Sequence, residues 1–175
     1  DLGSGTSVGF WLESAIFPDT GGTNTSFFNR RSTISLINKS WGELKLGRDY
    51  TPAFYNISSF SPFGTVGMGG SSNLIEGWPV GVDKVTTMQR ASNMLTYILP
   101  TGLNCFYGQL HYAFDEKTKG NGYTGARLGW AQGPVDVAAA YGRVSLATNH
   151  YAIWTAGGSY QWDRVKLFAN YVQQK

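Results

Sequence analysis

Cysteine, charge and long apolar runs are all scarce in this 175-residue sequence. Cys105 is the only cysteine, which excludes an internal disulfide framework and any multi-cysteine zinc site. No His–acid constellation accompanies it, so it reads as a packed or inward-facing small residue rather than a nucleophile. Charged residues make up 14% of the chain, against roughly 25% in a soluble domain. A highly soluble enzyme is therefore disfavoured. The net charge is +3 and the longest basic run is the pair Arg30-Arg31, too mild to call for a nucleic-acid partner. The longest uncharged stretches, 50–75 and 91–114, are interrupted by Pro52, Pro62, Pro100 and several glycines. Neither reads as a membrane-spanning helix, which needs about 20 mostly apolar residues. Residues 1–10 lack the basic region and apolar block of a secretory signal.

What the chain does have is glycine (23 residues), aromatics (15%) and a period of two. Val8, Phe10 and Leu12 alternate with Ser7, Gly9 and Trp11. Ile34 and Leu36 alternate with Thr33 and Ser35, and Leu44 and Leu46 with Glu43, Lys45 and Gly47. The same alternation recurs through Leu95–Leu99, Phe106–Tyr112, Ala126–Trp130, Val135–Tyr141, Trp154–Tyr160 and Val165–Tyr171. The pattern predicts nine strands and no helix. Tight turns (38–42, 100–103, 131–134, 161–164) alternate strictly with longer polar loops (17–29, 50–89, 115–123, 142–152). An up-and-down meander with turns at one end and loops at the other produces that asymmetry, as outer-membrane barrels do. A closed barrel also satisfies every backbone group where lipid offers no hydrogen bond. The expected fold is an all-β transmembrane antiparallel barrel with an apolar outside and a polar lumen. Aromatics such as Tyr97, Tyr112, Trp130, Tyr141 and Tyr160 would supply interfacial girdles.

Two other folds share the alternation. One is a small closed eight-stranded barrel serving as an anchor or adhesin, but nine is an odd count and such a barrel has a filled lumen. The other is a soluble carbohydrate-binding β-sandwich, whose exposed face would carry more Lys, Glu and Thr.

The stretches DLGSGTSVGFWLESAIF (1–17) and FNRRSTISLINKSWGELKLGRDYTPAF (28–54) resemble consecutive strands of general porins of Gram-negative bacteria, the betaproteobacterial trimeric type in particular. RASNMLTYILP, GYTGARLGWAQGP, VDVAAAYG, WTAGGSYQW and RVKLFANY match in the same order, and SPFG (61–64) is similar to the tip of the porin constriction loop without its usual acid. The resemblance implies a sixteen-stranded barrel assembled as a homotrimer in the bacterial outer membrane. It would be in contact with the lipid bilayer and lipopolysaccharide, passing small hydrophilic solutes passively and catalysing nothing. Residues 1–175 would be one incomplete barrel domain, with two strands before it and five after. The ending at Lys175, not on a terminal aromatic strand, agrees. About 19 residues per strand and connection puts sixteen strands at roughly 300 residues, and a barrel of that size leaves an aqueous channel. The 175 residues alone are expected not to form stable channels.

The resemblance also implies that the forty-residue loop 50–89 folds into the lumen and sets its narrowest section. Charges there act as an electrostatic filter, because low-dielectric walls focus the field. Arg31 shares a phase with Thr33 and Ser35 and is expected on the lumen wall, with Arg30 as the alternative. Arg90, in phase with Ser92 and Thr96, is the second expected wall arginine. Lys45 shares its phase with Glu43, and Arg48 lies in the apolar phase at a strand end, where it could turn inward or cap the rim. Glu76 is the only charge between Asp49 and Asp83. Wall arginines facing so few loop acids predict a weak to moderate anion preference. No cofactor is expected: His111 and His150 lack ligand spacing. Asp19, Asp115 and Glu116 could hold Ca²⁺ only loosely, having no EF-hand pattern.

Overall fold

The computed structural model of the protein describes residues 1–23, 26–74, 88–115, 122–145 and 150–175. Among these described residues nine strands follow one another: β1 (Thr6–Glu13), β2 (Arg31–Asn38), β3 (Gly42–Tyr50), β4 (Arg90–Ile98), β5 (Phe106–Ala113), β6 (Tyr123–Gln132), β7 (Val135–Ser145), β8 (His150–Trp162) and β9 (Val165–Gln174). They form a single sheet in sequence order, every neighbouring pair antiparallel. No second sheet packs on it among the described residues, which removes the sandwich. The count of nine and an inner face occupied by a helix remove the small filled barrel.

The register turns alternation into two chemically distinct faces. One cross-strand row runs Val8, Leu36, Leu44, Tyr97, Leu110, Ala126, Tyr141, Trp154. The row one residue away runs Gly9, Ser35, Lys45, Thr96, His111, Gly125, Gly142, Ile153. In the first row Val8, Leu44, Leu110 and Trp154 are exposed and Leu36, Tyr97 and Tyr141 half-buried, whereas Ser35, Lys45, Thr96, His111 and Ile153 in the second are buried. Apolar outside and polar inside is the inversion that a lipid solvent demands. A one-residue slip would exchange the faces.

Strand ends differ from expectation at two places. β7 extends to Ser145 and β8 begins at His150, so residues 142–145 and 150–152 of the loop expected over 142–152 are strand. Tyr123↔Val144 and Gly142↔Ile153 are paired rather than looped. Cys105 is exposed in the turn before β5, with φ +72°, not packed and not on the inner face.

The expectation of no helix is also corrected. Between β3 and β4 the chain forms α1 (Pro52–Ser59) and a 3₁₀ turn (Ser71–Leu74). The start signals are local. Thr51 is an extended N-cap whose hydroxyl accepts from the Phe54 amide, and Pro52 follows at the first helical position, where its missing N–H costs nothing. Helical spacing then buries Ala53, Phe54, Asn56 and Ile57 on one side. Eight residues is too short for an isolated helix, and it is stable here because it packs on the inner faces of β5–β8. Ala53, Ile57 and Met88 join Ala91, Met94, Ala113, Tyr123, Val144 and Ile153 in one buried cluster.

A charge on the outer face tests which side meets lipid. Leu110→Arg, near the centre of β5, should destabilise the full-length protein in bilayers by about 2–4 kcal/mol. The inner-row change Thr96→Ser should cost far less. Equilibrium unfolding from lipid vesicles measures both.

Candidate functional site

The inner face of β1–β4 carries a linear charge network. The Arg31 guanidinium lies 4.4 Å over the Trp11 ring and 3.1 Å from the Asp49 carboxylate. Lys45 Nζ is also 3.1 Å from Asp49 and 4.0 Å from Glu43. Glu43 accepts from the Ser35 hydroxyl at 2.6 Å. Beyond it, Thr96 and His111 share a hydrogen bond of 3.0 Å. Arg31 and Lys45, both expected on the wall, are therefore brought together. Asp49 and Glu43, which sequence reasoning did not single out as counter-charges, stand between them. They were detectable: Glu43 and Lys45 share a phase, and Lys45 and Asp49 would share it too in an unbroken strand.

Arg30, Arg48 and Arg90 gather elsewhere, at the loop ends of β2–β4. Arg30 is ion-paired with Glu13. Arg48 donates to the Asn29 carbonyl and the Ser92 hydroxyl, both at 2.8 Å. Arg90 stacks 4.2 Å over the Tyr50 ring and donates to its hydroxyl at 2.5 Å. Arg90 leaves the expected phase because of a β-bulge. The register steps from Gly47↔Met94 to Asp49↔Ala91, so β4 spends one more residue than β3. Asn93 takes φ +53° at that point. An extra residue inverts the alternation beyond it, so Ala91 takes the fully buried position opposite Asp49 and Arg90 does not. Glu76 lies outside the described residues.

The described part of loop 50–89 is fastened to the wall by buried polar groups. Asn56 donates to the Thr155 hydroxyl at 3.0 Å and the Ala138 carbonyl at 3.4 Å, and accepts from Arg127 Nε at 3.0 Å. Arg127 also approaches the Tyr107 hydroxyl at 3.4 Å, and that hydroxyl donates to Asp136 at 2.6 Å. Its guanidinium lies near the Tyr107, Tyr55 and Phe60 rings. Further along, Asn170 donates to the Phe60 carbonyl at 2.7 Å.

Two inner-face glycines make this docking possible. A Cβ at Gly157 would collide with the Phe60 ring, and one at Gly129 with the Tyr107 ring. Sequence reasoning missed Arg127, Asn56 and their partners. The available signal was phase, since Arg127 lies between Gly125 and Gly129 on the polar side of β6.

Among the described residues no group of three or more His, Cys, Asp or Glu side chains could hold a metal ion. Asp19 is exposed in the loop after β1, and Glu116 lies outside the described residues.

The family model described as Gram-negative porin matches residues 1–175. The chain belongs to the Gram-negative porin family. Outer membrane porin protein 32 of Delftia acidovorans is 35% identical over 180 residues, covering 95% of this chain and 50% of that protein. An outer membrane porin protein of Bordetella pertussis is 28% identical over 197 residues, covering 99% and 49%. The chain thus spans about half the length of the curated relatives it matches. Among solved structures, the outer membrane protein OmpT of Vibrio cholerae shares the fold. Its loop L8 deletion mutant matches with a TM-score of 0.53 at 14% identity, covering all of this chain and 70% of that one. The trimer form of OmpT gives 0.51 at 13%, covering 99% and 66%. This porin sequence is therefore an outer-membrane β-barrel sequence, as expected.

If the wall network holds the loop, removing Asn56 or Arg127 leaves buried partners unsatisfied, each worth about 1–3 kcal/mol. In the full-length protein, Asn56→Ala and Arg127→Met should each make the loop easier to cleave with protease and single-channel current noisier. Unchanged cleavage and noise in both would refute the fastening.

Proposed function

We propose that these strands form part of the wall of a passive diffusion channel for small hydrophilic solutes and ions, and that the loop narrows the lumen without any catalytic step. The observation that carries this reading is the helix α1 seated on the polar inner face of a sheet whose outer face is apolar. A soluble protein has no use for that inversion, and a filled barrel has no room for the loop. Among the described residues β1 and β9 each have one sheet neighbour. Lipid does not tolerate open strand edges, so in a membrane both need partner strands, consistent with a larger closed barrel. Membership of the porin family and the names of the relatives support a channel over an enzyme. The reading requires no cofactor. A homotrimer in the bilayer, in contact with lipopolysaccharide, is the assembly we propose, by likeness to the trimer form of OmpT.

We further propose a weak anion preference arising chiefly at the rim. On the inner wall, Arg31 and Lys45 face Asp49 and Glu43, two charges against two. At the loop ends, Arg30 pairs with Glu13 while Arg48 and Arg90 contact only neutral partners, three positive charges against one negative. A surplus of fixed positive charge at a narrow mouth raises the local anion concentration, and more so at low salt.

Planar-bilayer recordings of the full-length protein test both levels. Conductance in steps of three supports the trimeric channel, and absence of any channel overturns it. In a salt gradient the reversal potential should lie on the anion side. Arg31→Gln should shift it toward the cation side, because the inner wall then sets Lys45 alone against Asp49 and Glu43. Asp49→Asn should increase anion preference, and combined neutralisation of Arg48 and Arg90 should reduce it. A cation-selective parent channel would contradict the proposed preference.

A further inference from the structure

The described tip of the inserted loop bears no charge at all. From Ser61 to Leu74 there is no Asp, Glu, Lys or Arg. Its backbone is tied down from within. The buried Ser61 hydroxyl accepts from the Thr65 and Ser71 amides, both at 3.3 Å, closing the tip at its root. Asn73 donates to the Gly67 and Met68 carbonyls at 2.8 and 3.1 Å. Turn hydrogen bonds from Gly64, Val66 and Gly70 complete the set. With its polar groups spent on itself, the tip turns its apolar side chains out: Phe63 is 62% exposed, Val66 75% and Met68 98%.

The root fixes which side of the sheet this surface occupies. Phe60, immediately before Ser61, is buried in the slot over Gly157 and held by Asn170, both on the inner face. The tip therefore projects from the inner wall, on the same side as Arg31 and Lys45. Scattered single exposed hydrophobics are ordinary. Three on one uncharged tip rooted inside a lumen form a surface.

Resting on the channel reading, we propose that Phe63, Val66 and Met68 form an apolar bank of the water passage. The bank makes the channel favour small anions that carry an alkyl or aryl group beside the charge over equally charged, heavily hydroxylated ones. An apolar bank cannot replace the hydration of a hydroxyl group, so a hydroxylated solute loses water there without compensation. An alkyl group gains by the same contact. The positive side chains on the inner wall and at the rim supply attraction for the carboxylate.

The test uses the full-length protein in planar bilayers with Cys105→Ser as background. Met68→Cys channels exposed to a negatively charged methanethiosulfonate reagent should lose current stepwise. A Met68→Cys thiol that stays unmodified in conducting channels would mean the tip is packed away from the passage, and overturns the proposal. Bi-ionic reversal potentials then compare hexanoate with gluconate, which share carbon number and charge. The hexanoate-to-gluconate permeability ratio should fall roughly twofold or more in the Phe63→Ser, Val66→Ser, Met68→Ser triple variant. An unchanged ratio overturns the proposal even if the thiol reacts. A parent protein that forms no channels overturns the channel reading, and this inference with it.

Discussion

Everything in this structure depends on pairing backbone N–H and C=O groups where the solvent cannot. A bilayer core offers no hydrogen-bond partners, so the chain commits to one continuous antiparallel ladder across nine strands. Once every residue is in that ladder, side-chain direction has a fixed period of two, and chemistry can be sorted to two faces by alternation alone. The outer row from Val8 to Trp154 and the inner row from Gly9 to Ile153 are that sorting carried across eight strands. The inner face, free to be polar, becomes the surface on which charges and a loop can be mounted.

The loop is held by means suited to such a surface. It brings a small apolar cluster at its base, and farther along it uses buried polar contacts, Asn56 to Thr155 and Arg127, Asn170 to the Phe60 carbonyl. These require wall positions without side chains. Gly157 admits the Phe60 ring, and Gly129 admits the Tyr107 ring that backs Arg127. The glycine richness of the sequence is thus partly an adaptation of the inner face to a docked insert. The charges on β2 and β3 are similarly cross-connected: Asp49 serves two cations at 3.1 Å, so the wall field is a balance rather than a bare positive stripe.

Alternation made strand number, order and facing legible before any coordinates, because a period of two survives in single sequences and each strand is long enough to show it. Arg31 and Lys45 fell on the inner face for that reason. Arg90 did not, because one extra residue around Asn93 inverts the phase and nothing in the alternation marks it. The helix at Pro52–Ser59 was hidden for another reason. Its Thr-Pro start is a real signal, but eight residues are too few for a periodicity, and the wall that stabilises it lies 70 to 100 residues away in the chain. Partnerships such as Arg127 with Asn56 are long-range choices that local pattern cannot contain.

The segment between β3 and β4 is proposed to occupy the lumen and narrow it. The most direct measurement is single-channel conductance of the full-length protein with residues 61–70 replaced by a short Gly-Ser linker. The account predicts a channel of clearly larger conductance. A channel that still forms but conducts as before would contradict it.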